Sequence, residues 1–234
     1  VNRAGIEVAG LVFEPLATAE AVLSADEREL GTLLIDIGAG SSGCSLFADG
    51  EIQYSAVLPI GAGHFTNDLA MVLRTPFSEA EKIKTKHGCC LASMVTDEEG
   101  ISIPTVAGGA AKVVPRRELC EILQPRAEEL FSLIRDDLKK NGFAEALRGG
   151  VVLTGGGAQL DGLLELAEQI FGAGVRYGLP QGLGGLVDVI SSPTWSTASG
   201  LLIYGRAVEQ AQERAGRKRS GLSVRGAMQS LREL

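Results

Sequence analysis

The chain has 234 residues, enough for one large domain or for two lobes. Hydrophobic residues make up 45% of it and charged residues 22%, which is typical of a folded globular protein and argues against a disordered or membrane-spanning one. No stretch approaches the roughly eighteen consecutive apolar residues of a membrane-spanning helix, and no signal peptide is recognisable. Because the sequence begins with Val1 rather than Met, we expect a fragment or a processed product.

The net charge of −7 is unevenly distributed along the chain. Residues 214 to 234 carry a net charge of +5, so the remaining residues carry −12. A basic segment at the end of an acidic body predicts that the segment has a binding partner of its own.

The cysteines show neither a disulfide framework nor the spacing of a metal site. We therefore expect buried, reduced thiols in a cytoplasmic protein. The four cysteines are Cys44, Cys89, Cys90 and Cys120.

The first third of the chain predicts a short helix, three strands and a second helix. Residues 16 to 24 have helical character and end at the charged turn DERELG. The segments TLLIDIG, GCSLFAD and IQYSAVLPI are strand-like, and Asp49-Gly50 between the last two is a strong hairpin signal. HFTNDLAMVLR follows as an amphipathic helix. Its expected apolar face consists of Phe65, Leu69, Val72 and Leu73.

The middle of the chain predicts helices around a pair of short strands. SEAEKIKTKHG indicates a helix with a serine N-cap that stops at Gly88. Residues 93 to 115 are rich in Gly, Pro and β-branched residues, which favours short strands and loops. RRELCEIL and PRAEELFSLIRDDLKKNG form a helical region with Pro125 in a first turn. Its apolar stripe is Ala127, Leu130, Phe131, Ile134 and Leu138.

A second strand that runs into glycines, GGVVLTGGG, occupies residues 149 to 157. A helix (LDGLLELAEQIFG), a strand (VRYGLP) and a last helix (TASGLLIYGRAVEQA) follow. Two strand–glycine units thus flank an insertion of roughly seventy residues, which predicts an α/β lobe with an inserted subdomain.

Both strand–glycine units are candidate anion sites. Asp36 ends an apolar strand, and the small residues after it could turn backbone N–H groups towards a phosphate, with a hydrated magnesium ion at the carboxylate. A plain hairpin whose glycines only relieve turn strain explains this segment equally well. The run Gly155 to Gly157 permits close approach of a ligand at a helix N-terminus, or close packing of strand and helix. His64 is interpreted as a cap or loop residue, and Trp195 as a packing residue.

Longer blocks of sequence resemble known families. IDIGAGSSGCSLF resembles the second phosphate motif of the actin-like ATPases, VVLTGGGAQLDGL their adenosine motif, and PTWSTASGLLIYG the helix that returns to the first lobe. KIKTKHGCC, IPTVAGG and RRELCEILQPRAEELF resemble segments of the bacterial division protein family FtsA. The likeness covers nearly the whole chain, and the middle blocks are its most specific part.

The resemblance implies an α/β fold: an actin-like ATPase (ribonuclease-H-like) lobe with an inserted α+β subdomain and a C-terminal amphipathic tail. Residues 1–31 would be the tail of the first lobe, subdomain IA. Subdomain IIA would comprise residues 32–76 and 149–205, and subdomain IIB residues 77–148. Residues 206–234 would form a basic linker and an amphipathic membrane-targeting helix, with no first phosphate loop in this chain.

The resemblance also implies a site for ATP and Mg²⁺, with at most weak hydrolysis. The phosphate loop would be Asp36, Gly38, Gly40, Ser41 and Ser42, with Asp36 also holding the metal. The adenosine loop would be Gly155, Gly156 and Gly157. Glu81 and Lys84 match a pair that lines the adenine and ribose side in MreB, although an exposed ion pair is an open alternative. Glu14 matches a water-positioning acid, or is a surface carboxylate.

FtsA-like function implies several partners: the FtsZ C-terminal tail on residues 77–148, further copies of the protein, other division proteins, and an anionic membrane surface. The expected location is the cytoplasmic face of the inner membrane at the division septum. Two hypotheses remain beside it, a PilM-like pilus-assembly protein and a lobe of a sugar or acetate kinase. No basic groove with stacking aromatics is visible, so nucleic acid is not expected.

Overall fold

A five-stranded sheet, in which the third, second, first, sixth and seventh strands of the described chain lie side by side in that order, forms the centre of the protein. The computed structural model describes residues 1–96, 100–105, 110–185 and 190–211. The sheet strands are β1 Thr32–Ile37, β2 Ser42–Ala48, β3 Glu51–Leu58, β6 Gly150–Thr154 and β7 Val175–Tyr177. The strands β4 Gly100–Ile103 and β5 Lys112–Pro115 form a separate two-stranded sheet.

The helices are α1 Glu14–Val22, α2 Ala25–Leu30, α3 Ala62–Leu73, α4 Phe77–His87, α5 Arg116–Lys140 and α6 Leu163–Phe171. Residues 196–211 are also helical and are called α7. None of the helices in the described part of the chain is both long and apolar enough to cross a membrane. The basic segment 214–234 and most of the IPTVAGG block lie outside the described residues.

Hydrogen-bonding pattern and turn geometry confirm the predicted hairpin. β2 is antiparallel to both β1 and β3, and β1 is parallel to β6. Asp49 and Gly50 have φ values of 53° and 76°. Two successive residues at positive φ are what a two-residue hairpin turn of the right twist requires, which explains the Asp-Gly sequence.

Alternating side chains of β1 enter two different cores. Leu33, Ile35 and Ile37 belong to the larger core, with residues of α3, α5 and α6. Leu34 faces the smaller core, with residues of α1 and with Ile203 of α7 beside it. Since a strand alternates its faces, Asp36 shares the face that α1 and α7 cover.

The larger core also contains α4 and α5 side chains of the predicted insertion, among them Ala80, Ile83 and Leu130. The short strands expected between residues 93 and 115 are present as β4 and β5. This one core contains residues from both sides of the predicted boundaries at 76 and 149, so it does not divide the chain into subdomains. The subdomain boundaries therefore stay a prediction. The expectation of buried thiols is confirmed, since all four cysteines are free and buried.

Several predicted details are wrong at the N-terminal end. The first helix begins at Glu14, and the predicted charged turn DERELG contributes most of a second helix, α2. Ser24 and Glu27 form a capping box, in which each side chain bonds the backbone N–H of the other at 3.2 and 2.8 Å. This Ser-x-x-Glu pattern is a helix-start signal.

Pro125 does not start a helix but lies inside α5, which runs unbroken through it. A proline inside a helix costs a backbone hydrogen bond, and here a long buried stripe offsets that cost. The stripe is Leu119, Cys120, Leu123, Ala127, Leu130, Phe131, Ile134 and Leu138. Likewise α4 begins at Phe77 rather than after a serine cap, while Val72 and Trp195 are 61% and 46% exposed rather than packed.

The helices α1 and α7 touch at Gly200. A β-carbon on Gly200 would lie 1.7 Å from the carbonyl oxygen of Ala17, a distance that no side chain can tolerate. Gly205, further along α7, has open space around it. The glycine at 200 is therefore required by the close crossing of the two helices.

We expect Gly200→Ala to lower the free energy of unfolding by about 1 to 3 kcal/mol, because it overpacks this crossing. The matched control, Gly205→Ala, adds a methyl group in open space and should leave stability unchanged or raise it by up to about 1 kcal/mol. Urea unfolding of both variants measures the difference. Equal stability of the two variants would contradict the crossing.

Candidate functional site

Residues 38 to 41, the middle of the predicted phosphate loop, join β1 to β2 and contact the start of α3. The amides of Ala62 and Gly63 each donate to a loop carbonyl, of Gly38 and Ala39 respectively, at 2.8 Å. The amide of Gly38 donates to the carbonyl of Ser41 at 3.0 Å. The segment is thus both a hairpin and a loop with a fixed shape.

Two neighbours of the loop explain further details of its sequence. A β-carbon on Gly61 would lie 2.6 Å from the amide nitrogen of Ser41, so only glycine allows α3 to approach the loop this closely. His64 Nδ1 accepts a hydrogen bond from the amide of Gly61 at 3.1 Å, which confirms its interpretation as a cap. Gly40, in contrast, has nothing within 4 Å of its β position and faces open space.

Asp36 and Glu14 form an acidic pair at one side of this loop. Both line a cavity of about 240 Å³, together with Gly38, Ser41 and Thr18. Burial raises the pKa of the Asp36 carboxyl, and the charge of Glu14 raises it further, against a hydrogen bond from Thr197 at 3.2 Å. Two neighbouring carboxylates, one of them buried, attract a cation.

The acidic pair could supply part of the coordination of a Mg²⁺ ion. This ion commonly uses one or two protein carboxylates and completes its octahedron with water and phosphate oxygens. Among the described residues no group of three or more His, Cys, Asp or Glu side chains could hold a metal alone. Asp36 is therefore suited to a phosphate-bound ion rather than to a closed metal site.

The two serines of the loop have different surroundings. Ser41 is exposed and lines the cavity at Asp36. Ser42 is fully buried, and its hydroxyl donates to the carbonyl of Ile60 at 2.7 Å. In this arrangement the one proton of the Ser42 hydroxyl is already used, and the assignment of Ser42 to the phosphate loop stays a prediction.

A larger cavity of about 490 Å³ lies on the other side of the same loop. It brings together Ala39 of the phosphate loop, the Glu81–Lys84 pair of α4, and Gly156 and Gly157 of the second glycine run. Further lining side chains are Phe65, Thr85, Lys86, Gln159, Leu160 and Asp161. Its volume is in the range of small-molecule sites.

Lys84 is not the exposed ion-pair partner that a surface helix would give. Its side chain is 7% exposed, and Nζ lies 2.8 Å from Glu81 Oε2, 2.8 Å from Thr66 Oγ1 and 3.0 Å from the carbonyl of Ala62. Burial opposes ionisation of Glu81, but the hydrogen bonds from Lys84 and Thr66 outweigh it and lower the pKa of that carboxyl. The pair is fixed in place at the cavity wall.

The three glycines of the second run have separate roles. Gly155 has φ 83°, and a β-carbon there would lie 2.3 Å from Asp36 Oδ1. A β-carbon on Gly157 would lie 2.5 Å from Ile37 Cγ2, whereas one on Gly156 would meet nothing closer than 3.6 Å. Packing thus explains Gly155 and Gly157, whereas a side chain at position 156 would meet no clash within the fold and would enter the cavity.

Three threonines that contact the candidate site residues were not apparent from the sequence. Thr197 bonds Asp36, and Thr66 bonds both Lys84 and Glu81. Thr18 bonds Thr197 and lies at the cavity with Glu14. Hydroxyl residues are too common for their position in a sequence to reveal such contacts; the one hint is that Thr197 lies in the PTWSTASG block.

The fold is similar to solved structures of actin-like proteins. MreB 5 of Spiroplasma citri bound to AMPPNP matches with a TM-score of 0.75 at 19% identity, covering 92% of this chain and 64% of that one. A chain of the PilM–PilN type IV pilus biogenesis complex matches with a TM-score of 0.66 at 21% identity, covering 87% of this chain and 55% of that one. The chain therefore has the actin-like α/β fold that its motifs predict.

Sequence comparison then distinguishes among actin-like families. The family model described as cell division protein FtsA matches residues 33–200. Cell division protein FtsA of Pseudomonas aeruginosa is 43% identical over 205 residues, which cover 88% of this chain and 49% of that protein. FtsA of Escherichia coli K12 is 38% identical over 231 residues, covering 96% and 55%.

The chain belongs to the FtsA family of cell division proteins. This confirms the resemblance of the middle blocks and sets the PilM-like and kinase hypotheses aside. The chain spans about half the length of the curated relatives it matches.

The acidic pair makes a prediction about stability and pH. In metal-free buffer at neutral pH, Asp36→Asn should raise the thermal midpoint by about 2 °C, because it removes a desolvated charge near Glu14. A raised carboxyl pKa lowers stability while the group is ionised, so this gain should shrink as the pH falls towards about 4. Differential scanning calorimetry measures it.

The control is Asp136→Asn, since Asp136 has a 52% exposed side chain paired with Arg135 on the surface of α5. Its substitution should change the midpoint little at any of these pH values. A destabilised Asp36→Asn variant at neutral pH would show that the carboxylate is stabilised rather than strained.

Proposed function

We propose that the chain is the ATP-binding second lobe of an FtsA-type division protein. The observation that carries this proposal is the cavity of about 490 Å³. Its wall contains residues of the phosphate loop, the Glu81–Lys84 pair and the second glycine run. ATP would lie along that wall, with its adenosine beside Glu81, Lys84 and Gly156. Its phosphates would extend over residues 38 to 41 towards Asp36.

Each residue would contribute a different interaction. Lys84 holds Glu81 in place so that the carboxylate can accept hydrogen bonds from ribose hydroxyls. Gly156 leaves room for the nucleoside, and Ser41 offers an exposed hydroxyl near the phosphates. Asp36 would bind Mg²⁺ through water, and the ion supplies charge neutralisation at the phosphates when bound.

Glu14 would be the acid that orients an attacking water. It lies in the first turn of α1, in the same cavity as Asp36 and Ser41, on the side where the phosphates would end. A carboxylate there can accept a proton from water within hydrogen-bond reach. We propose weak hydrolysis, with nucleotide binding acting mainly on assembly.

Comparison with other proteins supports this proposal. The solved structure of MreB 5 of Spiroplasma citri, which shares the fold, contains AMPPNP, and a second structure of MreB5 contains ADP. At 19% identity this likeness concerns the fold. The nucleotide assignment for this chain rests on the cavity itself.

For the whole protein we propose the FtsA role: connecting FtsZ filaments to the cytoplasmic face of the inner membrane at the division septum. Family membership supports a division function. The FtsZ C-terminal tail would bind residues 77–148, and further copies of the protein and other division proteins would bind elsewhere. The basic segment 214–234, outside the described residues, would contact anionic lipid.

Nucleotide binding is tested with a pair of glycine variants. Gly156→Ala should weaken Mg·ATP binding by about tenfold or more, because the methyl group fills cavity space without clashing with the fold. Gly174→Ala, at a glycine with nothing within 4 Å and away from the cavity, should bind as the unmodified chain does. Isothermal titration calorimetry measures both affinities.

Absence of saturable Mg·ATP binding by the folded unmodified chain would refute the proposed site. Equal affinities of the two variants would place the nucleotide elsewhere.

The FtsZ assignment is tested separately. An FtsZ C-terminal peptide should bind the 234-residue chain saturably in calorimetry. Charge reversal at exposed positions of the insertion, Lys82→Glu on α4 and Arg117→Glu on α5, should weaken binding. Arg206→Glu, at an exposed position of α7, should not. A folded chain that does not bind the peptide would remove the tether function while leaving the nucleotide site untouched.

A further inference from the structure

A row of hydroxyl groups connects Asp36 on β1 to α7 and α1. Thr197 Oγ1, in the first turn of α7, lies 3.2 Å from Asp36 Oδ2 and 2.8 Å from Thr18 Oγ1. Thr18 Oγ1 in turn lies 3.1 Å from the backbone carbonyl of Glu14. Three structural elements thus meet through three side-chain contacts.

The number of hydroxyl protons decides which group donates and which accepts in each of these hydrogen bonds. An ionised Asp36 can only accept, and each threonine has one hydroxyl proton, so two protons serve three contacts. A carboxylate is a stronger acceptor than a hydroxyl or a carbonyl. Thr197 therefore donates to Asp36, and the proton of Thr18 is shared between Thr197 and the carbonyl of Glu14.

The other carboxylate oxygen is confined as well. Oδ1 of Asp36 lies beside Gly155, in space that a β-carbon at that position would occupy. With Oδ2 held by Thr197 and Oδ1 held against the glycine, the carboxylate cannot rotate freely. Its orientation is thus set from α7 on one side and from the second glycine run on the other.

The hydroxyl of the preceding residue, Ser196, makes different contacts. Ser196 Oγ lies 2.6 Å from Thr154 Oγ1 and donates to the carbonyl of Gly178 at 3.3 Å, so it fixes the start of α7 against the sheet. Gly200, one turn further along α7, touches Ala17 of α1. Thr197 therefore lies between an anchored helix start and a tight helix crossing, so the position of its hydroxyl is tied to both.

We propose that Thr197 is a positioning residue that orients Asp36 for Mg²⁺ and makes that orientation depend on the crossing of α1 and α7. The identity of the ion as Mg²⁺ rests on the proposed nucleotide site. The hydrogen bond between Thr197 and Asp36 is independent of that proposal. A bound ion that fixes the carboxylate would in turn favour one arrangement of the crossing, since such coupling is reciprocal.

The contact is tested without any ligand by a double-mutant cycle in urea unfolding of the full chain. Thr197→Val should raise the unfolding equilibrium constant by about fivefold in the unmodified chain but by less than about twofold in an Asp36→Ala background. An equal factor in both backgrounds would overturn the inference, because the hydroxyl would then act on something other than the carboxylate.

The consequence for the ion is tested by calorimetry of ATP binding with Mg²⁺ and with EDTA. Thr197→Val should weaken Mg·ATP binding by about tenfold and metal-free ATP binding by less than about twofold, and Thr197→Ser should restore both. A general packing defect would weaken both forms alike and would not be rescued by serine, and either result overturns the positioning role.

The two tests separate the inference from the proposed function. If the unmodified chain binds neither form of ATP, the proposed function fails and the role towards Mg²⁺ fails with it. The double-mutant cycle still decides whether Thr197 orients Asp36.

Discussion

The parallel pairing of β1 with β6 is the constraint on which the candidate site depends. Asp36 is directly opposite Thr154 in this pairing, so the loops that follow both strands leave the sheet at the same edge. The two glycine segments are more than a hundred residues apart in sequence and yet touch, because Gly155 lacks the β-carbon that would clash with Asp36. The two cavities lie beside this contact, so the residues proposed to bind phosphate, metal and adenosine are all positioned relative to it.

The two sides of the site treat charge in opposite ways. At Glu81 the carboxylate is compensated by a buried lysine that is itself fully hydrogen-bonded, so this wall is complete without a ligand. At Asp36 burial and a second acid act against ionisation, and one hydroxyl is too weak to offset them. Uncompensated acids of this kind tend to lie at functional sites, where an arriving cation supplies the missing charge.

Local patterns predicted much of the fold. The Asp49-Gly50 turn and the buried stripe of α5 depend on residues close in sequence, and both are confirmed. The capping box of α2 is equally local, although the charge-rich segment around it favours a turn in the sequence prediction. Pro125 was misplaced because local preference favours a helix start, whereas packing of the whole stripe keeps the helix continuous.

Contacts within the site were harder to predict because they join residues far apart in sequence. Thr197 and Asp36 are separated by 161 positions, and the burial of Lys84 depends on Thr66 and Ala62 of another helix. The Ser42 hydroxyl points to Ile60 because of strand pairing that the glycine-rich motif does not specify. Residue type identifies candidate ligand-binding loops, but only the register of β1 and β6 shows which of their atoms lie together.

Amide hydrogen–deuterium exchange of the chain with and without Mg·ATP tests most directly whether the two glycine loops form one site. Exchange in peptides covering residues 36–43 and 153–160 should slow together on nucleotide addition, along with the end of α4. Peptides from the exposed part of α7 should remain unchanged. Protection of only one loop, or of neither in a folded sample, would contradict the account.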